Sequence, residues 1–163
     1  MIATEVWAQQ PFRFGLAWLL LSIALALHVF DEAATDFLAV YNPAVLAIRK
    51  RISFLPLPTF TFPVWLAGLC LGIAVAFTLS FLAFRGSRIA VVAAYPVAVL
   101  MFTNGLGHIG MSLYRRRIMP GLCSSPFLMA ASAYLFYCTV AINSPNQTLE
   151  PTPDRREIPV LSL

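Results

Sequence analysis

Charged side chains are missing from four long stretches of the chain. Arg13 and Asp31 enclose 17 residues without Asp, Glu, Lys or Arg; Arg51 and Arg85 enclose 33, Arg88 and Arg115 enclose 26, and Arg117 and Glu150 enclose 32. A helix crosses the hydrocarbon core of a bilayer with about 20 apolar residues at about 1.5 Å rise each. The pattern therefore predicts four transmembrane helices, spanning Phe14 to Val40, Phe62 to Phe84, Arg88 to Tyr114 and Gly121 to Ile142.

The punctuation between them is uneven. Apolar residues of the first span run from Phe14 to Leu27, and the chain then continues through His28-Val29-Phe30-Asp31-Glu32-Ala33-Ala34-Thr35-Asp36 without Gly or Pro. This helix is expected to persist until Asn42-Pro43, the first breaker. From Ala44 to Phe54, Leu, Ile and Val are interleaved with Arg and Lys, as in a short helix lying at the membrane surface. Pro56, Pro58 and Pro63 turn the chain into the second span, Gly86-Ser87 marks a short loop, and Pro96 is expected to kink the third span. Trp7 and Phe12 suit the near interface. Residues 143–163 are polar and Pro-rich without periodicity and are expected to be a disordered tail; the sequon Asn146-Gln147-Thr148 within it is too short a pattern to carry weight. The expected fold is an all-α integral membrane bundle of four helices over residues 1–142, with an interfacial segment and that tail.

Composition narrows the class further. The chain is 60% hydrophobic and 11% charged, against about 25% charged for an ordinary soluble domain. Disordered, coiled-coil and typical soluble proteins are excluded. Cys70, Cys123 and Cys138 are odd in number and fall in apolar windows, which argues against disulfides or a zinc cluster. The runs Arg49-Lys50-Arg51 and Arg115-Arg116-Arg117 flank spans, so they read as anchors for a lipid bilayer, with no nucleic acid implied. These six basic residues face Arg13, Arg85 and Arg88 on the other side. That bias puts the first and third loops in the cytoplasm, with the bacterial inner (plasma) membrane as the expected location. Arg155 and Arg156 of the tail reduce the bias. Residues 1–26 also read as a signal peptide ending at Ala24-Leu25-Ala26, although its positive region is a single Arg and cleavage would leave a carboxylate-rich helix start.

Within the spans, ionisable residues cluster. The first holds His28, Asp31, Glu32 and Asp36; the third holds His108, with Asn104 one turn earlier. Residues three and four apart share a helix face, so His28, Asp31 and Glu32 project together, as do Asn104 and His108. The first and third spans cross in the same direction, so their C-terminal halves meet at similar depth, near Pro120-Gly121. Three carboxylates on one face repel each other, and an acid within a membrane is costly. A cation, protons, water or the loop arginines must compensate. Alternatively, Asp31 and Glu32 come about 26 Å along the helix from Phe14 and are simply solvated where it leaves the bilayer, with both histidines hydrogen-bonded core residues.

The stretch His28-Val29-Phe30-Asp31-Glu32 resembles the motif of the HXXEE family of small multi-helix membrane proteins. Asn104-Gly105-Leu106-Gly107-His108 and Met119-Pro120-Gly121 are similar to that family's downstream Asn-x-x-x-His and Pro-Gly elements, and the resemblance covers roughly residues 14 to 142. Asp31 departs from it, being one methylene shorter than Glu. The resemblance implies a shared polar site and names no reaction, since the family has no established biochemical function.

Two histidines and a carboxylate suit zinc or non-haem Fe(II). His28, Glu32 and His108 are the candidate ligands, Asp31 or Asp36 the candidate base or outer group, and Asn104 a candidate to orient an imidazole. The chemistry this implies is activation of water or oxygen beside a lipid or other apolar substrate. A ferritin-like di-iron site is disfavoured because the span carboxylates all lie on one helix. Two other readings stay open. One is a proton or ion transporter, for which neither an internal repeat nor acids in the second and fourth spans are present. The other is a non-catalytic membrane or assembly protein packing through Gly68-x-x-x-Gly72, a motif that would also serve a homo-oligomer. Gly105-x-Gly107-x-x-Gly110 mimics a dinucleotide fingerprint but follows no strand, and its glycines suit close approach of the first helix instead. Tyr134, Phe136 and Tyr137 read as an interfacial aromatic belt.

Overall fold

A computed structural model describes residues 2–52 and 54–144, with side chains from Gln10 onward. It contains five helices: α1 (Ile2–Ala34), α2 (Leu38–Arg51), α3 (Phe62–Phe84), α4 (Arg88–Arg115) and α5 (Ser125–Ile142). No strand occurs among the described residues. Residues Gln10–Ala34 of α1, together with α3, α4 and α5, are each long and apolar enough to cross a membrane. The tail expected at 143–163 lies outside the described residues after Ser144, as do the sequon and the side chain of Trp7.

The four long helices form a bundle. α1 packs against α3 and α5, and α4 packs against α5 and more lightly against α3. α1 and α4 therefore stand diagonally opposed. Phe14, Ala17, Trp18 and Leu21 of α1 fill the middle with Leu128 and Leu135 of α5, while α4 contributes the small residues Ala90, Ala94 and Ala98 at four-residue spacing. Residues that also read as a signal peptide thus form part of this core. Buried hydroxyls bond within their own helices: Ser22 to the Trp18 carbonyl, Ser132 to Leu128 and Thr139 to Leu135. Such back-bonding lets a polar residue sit in an apolar interior. The outward faces are apolar too: Val64, Leu71 and Val75 on α3 and Ile89, Val92 and Val99 on α4 are exposed. Apolar surface left in water forgoes about 25 cal/mol per Å², so these faces call for an apolar surrounding.

Three local features differ from the sequence expectation. The first helix does not persist to Val40; it ends at Ala34, and Asp36 takes the left-handed conformation at φ 55°. The Phe37 amide reaches back to the Glu32 carbonyl at 3.0 Å, the long bond of a Schellman stop. Gly or Asn usually occupies that position, but Asp also tolerates it. Asn42-Pro43, read as the breaker, lies inside α2. The Asn42 side chain faces away and clamps the Phe60 backbone, donating to its carbonyl at 2.9 Å and accepting from its amide at 3.1 Å. The last helix starts at Ser125, four residues later than expected, because residues 120–124 form turns. Pro96 sits within a continuous α4.

At Gly105, α4 lies close against α5. A methyl group there would lie 2.7 Å from Met129 Cγ and 3.1 Å from the Ser125 carbonyl oxygen. The close approach is to α5, not to the first helix as the sequence suggested, and Gly107 and Gly110 have no neighbour within 4 Å. Gly105→Val should destabilise the bundle by about 1–3 kcal/mol through overpacking, lowering the midpoint of thermal unfolding in detergent. Gly68→Ala, whose methyl would meet nothing within 4 Å, should leave that midpoint unchanged or raise it.

Candidate metal centre

The C-terminal turns of α1 and α4 carry the polar residues inward across the diagonal. His28 lies six residues before the end of α1, about 9 Å at helical rise. The two imidazoles meet edge to face, with ring centroids 4.8 Å apart at 77°. Glu32, one turn after His28, reaches between them: its Oε1 is 3.1 Å from His108 Nε2 and 3.7 Å from His28 Nε2. All three residues are buried, at 1% (His28), 5% (Glu32) and 9% (His108) exposure. The alternative in which the helix-one acids are solvated and the histidines merely structural does not describe Glu32.

Hydrogen bonds fix which ring nitrogens face inward. His108 Nδ1 lies 2.6 Å from the Pro120 carbonyl oxygen. A carbonyl only accepts, so Nδ1 carries the proton and Nε2 turns towards Glu32. His28 Nδ1 lies 2.8 Å from Ser124 Oγ. Ser124 spends its single proton on Asp31 Oδ2 at 2.8 Å, with the Gly121 carbonyl at 3.2 Å as the lesser alternative. Its oxygen must therefore accept from His28, which puts the proton on Nδ1 again. Asn104 Nδ2 agrees, donating to His28 Nε2 at 3.0 Å.

Two Nε2 atoms and a carboxylate oxygen thus converge, and the His28 Nε2 lone pair receives the Asn104 N–H that a bound ion would displace. The three ligand atoms lie within 4.8 Å of one another. Bonds of about 2.0–2.2 Å in tetrahedral geometry would set ligand atoms about 3.4 Å apart, a value that the separations of 3.1 and 3.7 Å bracket. The largest separation within the group reaches 4.8 Å, so the donor types suit a small divalent cation that would draw the two rings closer together, and partners outside the set hold both rings in the orientation that metal-binding histidines need.

The turn before α5 completes the site. Gly121 adopts φ +79°, and a methyl there would lie 2.9 Å from His108 Nδ1 and Cε1 and 3.1 Å from His28 Cε1. Glycine is required both by the backbone and by the two rings. Asp31 takes the Ser124 amide at 3.0 Å as well as its hydroxyl. A carboxylate from α1 thereby caps the start of α5 and favours its positive dipole end. Asp36, the other candidate base, is exposed at the α1–α2 corner and lies outside the ligand group. Asn104 touches His28 rather than the histidine on its own helix. Ser124 and the Pro120 carbonyl were not anticipated. Ser124-Ser125-Pro126 does carry a helix-start signature, a capping Ser ahead of Pro in the first turn, and this could have shifted the start of the last helix and exposed the turn.

Comparison with known families gives a match to the model described as "Protein of unknown function with HXXEE motif" over residues 18–136, most of the chain. The chain belongs to the HXXEE family. No curated protein and no solved structure matches it. In this HXXEE chain the motif divides in two: His28 and Glu32 belong to the group that could hold a metal ion, while Asp31 holds Ser124.

Two substitutions probe this scaffold. Gly121→Ala should lower the unfolding midpoint markedly, because both backbone and rings must move. Ser124→Ala leaves the His28 Nδ1 proton and Asp31 without a shared partner. It should cost about 1–3 kcal/mol of stability, read from thermal unfolding, whereas Ser124→Thr should cost less.

Proposed function

We propose that this chain is an integral membrane protein whose His28–Glu32–His108 centre holds a divalent metal ion, zinc or Fe(II), and acts on a lipid or other apolar substrate. The observation that carries the reading is the convergence of three buried acceptor atoms with both imidazoles oriented Nδ1-outward. When bound, the ion would act as a Lewis acid or activate water or oxygen. His28 and His108 hold their Nε2 atoms at fixed positions, Glu32 contributes the compensating negative charge, and Asp31 orients His28 through Ser124. Apolar space adjoins the centre on both sides. A cavity of about 270 Å³ includes Phe37, Tyr41, Met111 and His108 in its lining, and one of about 210 Å³ includes His28, Glu32, Trp65 and Leu69. Asn104 and Phe37 line both.

The basic runs at the end of α2 and just after α4 favour a cytoplasmic position for the loops at this end. A non-catalytic assembly role finds support at Gly68 and Gly72 of α3, where an added methyl would meet nothing within 4 Å among the described residues.

Metal analysis of detergent-purified protein separates these readings. The enzyme reading expects about one zinc or iron per chain after loading, falling at least about tenfold in affinity in His28→Ala and in His108→Ala. Wild-type protein that stays empty after reconstitution with either metal would remove it.

A further inference from the structure

The larger cavity beside the centre has an apolar body and a basic end. From the start of α2 it takes Phe37, the residue capping that helix, and Val40, Tyr41 and Ala44 within it, at the i, i+3, i+4, i+7 spacing of one helical face. From α4 it takes Asn104, Gly107, His108 and Met111. Thr103 also borders it, but its hydroxyl is spent on the Val99 carbonyl at 2.8 Å. The Tyr41 hydroxyl likewise donates to the Pro58 carbonyl at 3.2 Å, so Asn104 and His108, which belong to the centre, supply the other polar side chains of the groove.

Beyond Met111 the same face of α4 continues to Arg115, one turn on. α4 then stops at Arg116, which is left-handed at φ 52°. The segment folds back: the Arg117 amide donates to the Ser112 carbonyl at 3.2 Å, and the Met119 amide to Ser112 Oγ at 3.2 Å. Met119 is thereby returned to the groove wall, so Arg115, Arg116 and Arg117 occupy the short stretch of chain between two residues that line the groove, Met111 and Met119. The α2 face likewise continues through Ile48 to Arg51. All four arginines are exposed, and among the described residues none of them pairs with a carboxylate.

We infer that this groove binds a single-chain anionic amphiphile, its aliphatic chain lying between α2 and α4 past His108 and its carboxylate or phosphate head at the Arg115–Arg117 end. An apolar trough excludes a polar solute, and the cations select the sign of the head group. The inference deepens the enzyme reading by naming the substrate class, and it rests on that reading only for what happens to the chain, not for its binding.

Gly107 provides a clean test. It borders the groove, and a methyl there would meet no atom within 4 Å, so Gly107→Leu fills the space without disturbing the bundle. Full-length protein in phosphatidylcholine nanodiscs would be incubated with palmitate carrying a mid-chain photoreactive diazirine, and the labelled residues mapped by mass spectrometry. Labelling is expected at Phe37, Tyr41 or Met111. Unlabelled palmitate should suppress it, and hexadecyltrimethylammonium should not. Suppression by hexadecyl phosphate as well assigns an anionic head of either kind; suppression by palmitate alone assigns a carboxylate. Gly107→Leu should reduce labelling by about tenfold with metal stoichiometry unchanged, and Arg115→Gln should weaken binding by about fivefold. Labels spread over the outward residues Val64, Leu71 and Val92, or equal competition by the cationic amphiphile, would overturn the inference. Groove labelling in a protein that takes up no metal leaves this inference standing while removing the metal reading; metal uptake without groove labelling does the reverse.

Discussion

Three lone-pair-bearing atoms forced together inside an apolar bundle are the constraint around which this chain is arranged. Burying the Glu32 carboxylate costs several kcal/mol unless a positive charge accompanies it. The neighbouring imidazoles would ordinarily relieve that cost by donating N–H groups, yet each ring has committed its Nδ1 proton elsewhere, to Ser124 or to the Pro120 carbonyl. What remains between them is room for a cation, whether a proton shared by His108 and Glu32 or a metal ion. Either occupant neutralises the acid, but the separations of 3.1 and 3.7 Å from Glu32 to the two rings give a metal three ligands at once.

The surrounding structure is built to hold that geometry. α1 and α4 lie diagonally across the bundle and make little direct contact along their length, so the polar residues of their last turns meet in the interior. Both helices then end on non-glycine left-handed residues, Asp36 and Arg116, and each reversal carries side chains back over the site. Phe37 follows the first and packs against His108, with ring centroids 5.7 Å apart and the planes tilted by 50°. The segment after the second delivers Pro120, Gly121 and Ser124 to the rings. A single turn thus sets the orientation of both histidines, one through a backbone carbonyl and one through a hydroxyl.

Much of this was legible in the sequence. The charge-free stretches located α4 to within a residue at each end and the C-terminal end of α3, because charges are tolerated only near the ends of apolar helices, while Pro56, Pro58 and Pro63 marked where α3 begins. The shared crossing direction of the first and third spans implies that His28, Glu32 and His108 meet at one depth, as they do. The corner at Asp36 was hidden, since an Asp in the left-handed region carries no signal as strong as Gly or Pro. Asn42-Pro43 misled for the opposite reason: a strong local breaker was overridden by its place in the second turn of α2 and by the clamp from Asn42 to Phe60. The bond from Asp31 to Ser124 spans 93 residues, and neither helical spacing nor composition encodes it.

The central claim is that both imidazoles present Nε2 to a common point, and ¹⁵N spectra of histidine-labelled protein, recorded before and after zinc is added, test it most directly. The account predicts that both rings carry Nδ1–H, and that the Nε2 resonances of both move together on loading while the Nδ1 protons are retained. A ring found in the Nε2–H form with a bare Nδ1, or a zinc response confined to one histidine, would contradict it.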